Sequence, residues 1–192
     1  MQRYLLTDSL VELDSDLGTV DPRELAALAN DPEIQRTIGG HSFPYPYTVF
    51  HASYFIDRNR EINGRPFAID FAIRDAVSHE LVGIIGLSDL DSYDLDAHVG
   101  YWIGRKFWGM GYATRALSLV CDFAFRDLGM HRLHTRVLED NLRSLRVLMK
   151  NGFQVEGYMR ECFLRDGEFL SMFILGRINP YTGSRSSDQS MA

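Results

Sequence analysis

A chain of 192 residues, 45% of them hydrophobic and 24% charged, has the composition of a single globular domain. No run approaches the roughly eighteen apolar residues that a membrane-spanning helix needs, and Met1–Tyr4 leads to Asp8 without the apolar core of a secretory signal. A formal charge of −6 argues against nucleic acid as a general partner, since phosphate binding favours a basic face. Cys121 and Cys162 are too few for a disulfide scaffold. Both lie in apolar-rich segments and are read as buried thiols of a cytoplasmic protein.

The N-terminal third holds a short strand and then well-signed helix starts. Asp21–Pro22–Arg23–Glu24 combines a capping carboxylate, proline at the first helical position and glutamate at the third. Leu25, Ala26, Leu28 and Ala29 supply its apolar face. Asp31–Pro32–Glu33 repeats the start signal, and Gly39–Gly40 ends the segment begun there. Thr48 caps a third helix with Val49, Ala52, Ser53 and Ile56 on one side.

The period then changes to two. Phe67, Ile69, Phe71 and Ile73 alternate with Ala68, Asp70, Ala72 and Arg74, which predicts a strand with one buried face. Leu81–Leu87 is a second strand, and the aspartate-rich loop Asp89–Asp96 leads to a third at Ala97–Ile103. A helix from about Gly111 carries Ala113, Ala116, Leu117, Val120 and Ala124 at helical spacing and ends at Gly129. A strand near Leu133–Leu138, a helix from Leu142 stopped at Asn151–Gly152, and strands at about Phe153–Leu164 and Glu168–Ile178 complete the order. Asp166–Gly167 joins the last two as a hairpin. The fold class is α/β: a mixed sheet with antiparallel hairpins and one strand–helix–strand crossover. We expect one domain over 1–179 and a polar, serine-rich tail over 180–192.

The most informative stretch is Tyr101–Thr114: a strand, a glycine turn, then a helix with small residues in its first turn. The N–H groups that open a helix have no partner within it, carry partial positive charge and bind anions. Gly109, Gly111 and Ala113 keep side chains away, so a pyrophosphate can approach the backbone. A dinucleotide fingerprint would need glycine at Thr114, and no G-K-[ST] ending is present. Two glycines alone fit an ordinary tight turn as well as a phosphate site.

Tyr101–Trp102–Ile103–Gly104 followed by Trp108–Gly109–Met110–Gly111–Tyr112–Ala113–Thr114 resembles the acetyl-CoA loop of the GCN5-related N-acetyltransferases, most of all their RimJ/RimL branch. The family loop reads Q/R-x-x-G-x-G/A, with Trp108, Gly111 and Ala113 at its key positions; tryptophan replaces the general glutamine or arginine, as is usual in this branch. Asp21–Ile38 resembles the branch's first helices. Val137–Glu156 resembles its second signature, with Asn141, Ser144, Lys150, Gly152 and Phe153 in matching places. The fold implied is a single-domain acyl-CoA N-acyltransferase with a mostly antiparallel sheet flanked by helices.

That resemblance implies acetyl-CoA as co-substrate, no metal, and acetyl transfer to an amine by direct attack in a ternary complex. The amides of Gly109, Met110, Gly111, Tyr112, Ala113 and Thr114 would hold the pyrophosphate. The backbone of Trp102 and Ile103 would pair with the pantetheine arm, and a free N–H there would polarise the thioester. Ser144 would donate a hydrogen bond to the departing thiolate while Asn141 orients the arm; both also suit a plain helix cap. His98 stands where many relatives carry a glutamate base, and could equally be a histidine on the polar side of its strand. Glu161 is the second base candidate, or else a solvated strand charge. The last strand, Glu168–Leu175, lacks the aspartate and tyrosine of many relatives, which leaves more of the task to Ser144.

Arg105, Lys106, Arg143 and Lys150 are candidates for phosphate contact, and His41, Tyr45 and Tyr47 for the acceptor side. The acceptor would be a protein N-terminus or a small amine such as a polyamine or aminoglycoside, with an acidic surface suiting a cation. The contrasting reading is a non-catalytic acyl-CoA sensor of the same fold. The expected state is monomer or homodimer, with no nucleic acid and no membrane partner.

Overall fold

The computed structural model describes residues 2–38, 43–62 and 68–181, with 58–62 as backbone alone. Its centre is an eight-stranded sheet in the order β1-β2-β3-β4-β5-β6-β8-β7. The strands are β1 (Leu5–Thr7), β2 (Val11–Asp14), β3 (Ala68–Asp75), β4 (Leu81–Asp91), β5 (Asp96–Ile103), β6 (Arg132–Leu138), β7 (Gln154–Arg165) and β8 (Glu168–Ile178). Neighbours pair antiparallel except β5 with β6, which run parallel because α4 (Tyr112–Arg126) carries the chain between them. This is the mixed α/β sheet the sequence predicts. The beginning differs: one short strand was expected there, and the structure forms a hairpin of two, with Leu6 opposite Leu13.

Alternation along the strands gives the sheet two apolar faces. On one, Leu13, Phe71, Ile73, Ile85 and Val99 pack against Leu117, Val120, Cys121 and Ala124 of α4 and Leu148 of α5 (Leu142–Lys150). On the other, Ala72, Leu81 and Ile84 meet Leu25, Ala26 and Ala29 of α1 (Pro22–Ala29) and Ala52 and Ile56 of α3 (Val49–Ile62). Each large apolar side chain so buried contributes about 1.5–3 kcal/mol. Asp21 caps α1 as predicted, its side chain accepting from the Arg23 N–H at 2.8 Å. Val49, expected on the buried side of α3, is exposed, while Ala52 and Ile56 of the same face are buried.

The helix α2 (Pro32–Ile38) is tied at its C-terminal end to the far half of the sheet. Asn141 donates to the Thr37 carbonyl at 3.0 Å, Arg165 donates to the Arg36 carbonyl at 3.1 Å, and Arg165 also pairs with Asp140.

Two expectations are corrected. Cys121 is buried, but Cys162 is exposed, because β7 lies at the sheet edge and is irregular there. Its register to β8 shifts between Met159 and Phe163, and Glu161 has φ +48°. The aspartate loop is also shorter than predicted: β4 runs on to Asp91 and β5 begins at Asp96. Of the expected tail, Tyr181 is packed against α4, its hydroxyl donating to Asp122 at 3.1 Å and its ring lying 3.9 Å from the Arg126 guanidinium. Residues 182–192 of that tail, Gly39–Gly40 and Phe67 fall outside the described residues.

Candidate active site

The parallel seam between β5 and β6 is short. It pairs Asp96, Ala97 and His98 with Arg132, Leu133 and His134 and then stops. Beyond it β5 stays bonded to β4, from Val99 opposite Leu87 to Ile103 opposite Gly83, and β6 stays bonded to β8. The facing edges of the two strands therefore diverge. Into this gap opens a cleft of about 530 Å³, walled by α2, β5, the start of α4, β6 and α5.

The glycine turn closes one end of the cleft. A 3-10 turn at Arg105–Phe107 precedes it. Gly109 and Gly111 have φ of +81° and +95°, a left-handed conformation that side-chain-bearing residues adopt at a cost. A Cβ on Gly109 would project into open space. Gly111 is the N-cap of α4, and no side chain caps the helix, so its first N–H groups stay free for an anion. Trp108 fastens the turn to the sheet, its indole N–H donating to the Ile103 carbonyl at 2.7 Å. Tyr112 fixes the helix start from behind, with its hydroxyl 2.6 Å from Asp75. Hydrogen bonds from the Ser78 N–H and from Tyr112 hold the Asp75 carboxyl well below the usual carboxylate range.

The opposite wall is α5. Arg143, Arg146 and Lys150 recur at helical spacing and all line the cleft. The Arg143 guanidinium lies 4.9 Å from the centre of the Trp108 ring, across the mouth. Asn141 is the N-cap of α5, its oxygen accepting from the Ser144 N–H at 3.1 Å while its amide holds Thr37. The Ser144 hydroxyl lies 3.0 Å from the Tyr101 hydroxyl.

His98 lines the cleft on the face of β5 that also carries Gly100 and Trp102. Its Nδ1 is 3.2 Å from the Ser88 hydroxyl, and its ring packs edge-on to His134 with centroids 5.5 Å apart. Burial, and then the neighbouring His134, lower its pKa below the ordinary histidine value, so His98 is neutral near pH 7. A half-buried neutral imidazole at a cleft wall can accept a proton.

The structure thus brings together His98, Trp102, Ile103, Trp108, Gly109, Gly111, Tyr112, Ala113, Thr114, Asn141, Ser144 and Lys150 around one cavity. Other candidates lie elsewhere. Met110 points to solvent, 60% exposed, though its amide belongs to the turn. Glu161 is exposed on β7 and is not among the residues lining the cleft. Arg105 faces Asp31 at 3.8 Å and Lys106 pairs with Glu80, both outside the cleft. Tyr47 is buried in a stack with Phe43, Tyr45 is exposed, and His41 falls outside the described residues. Among the described residues no cluster of three or more His, Cys, Asp or Glu is gathered to hold a metal.

Among the cleft residues that escaped the sequence reading, Tyr101, Arg146 and Thr37 bear most on the site. Tyr101 faces α5, which its alternation with Trp102 encodes. Arg146 is implied by helical spacing to Arg143 and Lys150. Thr37 stands 104 positions from Asn141 and has no local signal.

The profile of the acetyltransferase (GNAT) domain matches residues 17–154, a stretch containing the glycine turn, the seam and all of α5. The class is that of N-acetyltransferases. An N-acetyltransferase of Bacillus licheniformis, p20, whose own function is uncharacterised, is 27% identical over 76% of this chain and 80% of its own length. Three further curated relatives are matched over only 61%, 56% and 57% of their length. The ribosomal-protein-S5-alanine acetyltransferase of Vibrio fischeri superposes with TM-score 0.80 at 20% identity, over 93% of this chain and 98% of that one. The spermidine N-acetyltransferase of Vibrio cholerae, solved with CoA and spermine, gives 0.76 at 20% identity over 90% and 97%. The chain belongs to the GNAT acetyltransferase family.

Proposed function

We propose that the chain transfers the acetyl group of acetyl-CoA to a primary amine, with both substrates bound at once. The observation that carries this reading is the seam that ends at His98 and His134 and opens beside the uncapped, glycine-led start of α4. A thioester on a long arm ending in a diphosphate fits that shape: a slot between two strands, free helical N–H groups at its end, and open space over Gly109. Acetyl-CoA supplies an activated acyl carbon; the protein supplies placement and charge.

The amides from Gly109 to Thr114 take the diphosphate, with Lys150, Arg146 and Arg143 as the cations of the facing wall. Main-chain groups of Tyr101 and the Ile103 N–H, on the diverging edge of β5, pair with the arm, because the alternation that sends the Gly104 N–H to Val82 turns the Trp102 groups to β4 instead. An N–H on that edge stabilises the charge that builds on the carbonyl oxygen. His98 takes the proton of the incoming ammonium. The freed nitrogen lone pair forms the C–N bond, the C–S bond breaks with its electron pair leaving on sulfur, and the second proton, shed by the nitrogen as the amide forms, passes through solvent to the thiolate. Ser144 donates a hydrogen bond to that sulfur. Holding both reactants in one geometry lowers the barrier without a covalent enzyme intermediate. His98 is favoured over Glu161 as base because it lines the cleft.

The acceptor class is a cationic primary amine. The two solved relatives act, by their names, on a ribosomal-protein alanine and on spermidine, and a chain of charge −6 attracts such cations. The test is release of CoA thiol from acetyl-CoA against polyamines, aminoglycosides and peptides with free N-termini. Release with at least one is expected. Tight acetyl-CoA binding with no release from the whole panel would refute transfer in favour of a sensor.

A further inference from the structure

Two hydroxyls meet inside the cleft, Tyr101 from β5 and Ser144 from the first turn of α5, 3.0 Å apart. Both line the cavity, and they stand on opposite walls of the slot that opens beyond the seam. The serine backbone is fixed independently, because its N–H is taken by the Asn141 cap at 3.1 Å.

Each hydroxyl has one proton to give and lone pairs to receive. If Ser144 donated to Tyr101, the phenol proton would be left with the Ser144 carbonyl, 3.5 Å away and past the range of a good O–H···O bond. If Tyr101 donates to the serine Oγ, the phenol is satisfied at 3.0 Å and the serine proton is free to turn into the cavity. Burial pushes the phenol up to about 12, so it keeps its proton throughout the working range of pH.

We propose that Tyr101 is the positioning residue for Ser144: its phenol donates to the serine Oγ and so aims the serine's single proton into the slot, at the sulfur of the acyl donor. The inference rests on the acetyl-transfer reading and adds a residue to it. Tyr101 touches neither the acyl carbon nor the amine. It acts through Ser144, and its effect falls on departure of the thiolate rather than on binding.

Tyr101→Phe keeps the ring and deletes only the donor. Its kcat is expected to fall on the order of tenfold, the worth of one neutral hydrogen bond, while KM for acetyl-CoA stays within about twofold. In a Ser144→Ala background the same change should cost nothing further, because its target is gone. An unchanged kcat in Tyr101→Phe, or losses that multiply in the double variant, would overturn the proposal. A second readout needs no turnover. The thiol of bound CoA, titrated by thiolate absorbance, should ionise at lower pH in the wild type than in Tyr101→Phe. Equal values would overturn the proposal alone. A wild type that binds CoA but releases no thiol with any amine refutes the transfer reading, and the thiol titration still decides the pair. A wild type that binds no CoA overturns both.

Discussion

Replacement of Asn141 by alanine separates anchoring from chemistry. The side chain makes two bonds: its oxygen caps α5 through the Ser144 N–H at 3.1 Å, and its amide holds the Thr37 carbonyl of α2 at 3.0 Å. Loss of an asparagine cap costs about 1 kcal/mol, and loss of one further neutral hydrogen bond costs about the same. The expected destabilisation is therefore about 2 kcal/mol. With an unfolding entropy near 2.1 cal/mol/K per residue, a domain of this size should lose about 5 °C in Tm. Asn141→Asp keeps the capping oxygen but sets a carboxylate oxygen against the Thr37 carbonyl in place of the donor, so at most about half of the loss should return. Calorimetric melts of wild type, Asn141→Ala and Asn141→Asp, each with and without CoA, make the comparison. A Tm for Asn141→Ala within 1 °C of wild type, a threshold well below the roughly 5 °C expected from these bonds, would show that this double anchor does not operate.

Two more outcomes are expected from the same geometry. Gly111→Val forces a β-branched residue to φ +95° at the N-cap of α4, at a cost of roughly 1–3 kcal/mol that the fold absorbs; CoA affinity should drop at least about tenfold as the amides lose their aim, and unchanged calorimetric affinity would remove the diphosphate assignment. Because burial and then His134 hold His98 below the ordinary histidine pKa, the base is competent above that value and lost as pH falls through it. The acid limb of kcat/KM should thus lie below about 6.5, and His98→Ala should abolish the limb and slow turnover on the order of 10²-fold. A limb that persists in the variant assigns it to another group.

Much of this architecture is legible in the sequence where the signals are local. The Asp21–Pro22 start, the spacing from Ala113 to Ala124 and the Asp166–Gly167 hairpin each depend on neighbours a few residues away, and each lies where it was predicted. What escapes is set by strand order. Cys162 carries the same period-two pattern as a buried residue, and only the position of β7 at the sheet edge turns it outward. Val49 fails for a similar reason, since an apolar spacing does not say how wide a stripe the sheet will cover. The cleft was legible through the glycine turn and the helix cap, whereas the contacts that brace it, Asn141 to Thr37 and Tyr101 to Ser144, join segments 104 and 43 residues apart.

The parallel seam also has a mechanical meaning. Three register pairs are the whole ladder between β5 and β6, and so between five strands on one side and three on the other. They act as the spine of a book whose leaves are each stitched firmly within themselves. Parting the leaves past His98 ruptures no rung of the sheet. It is resisted by the aliphatic layer under α4, Val99 and Leu133 against Leu117 and Val120, by the Tyr101–Ser144 hydroxyl pair across the slot, and by a cation resting on an indole at the rim. Guests of different girth can then be admitted at the expense of soft contacts rather than of secondary structure.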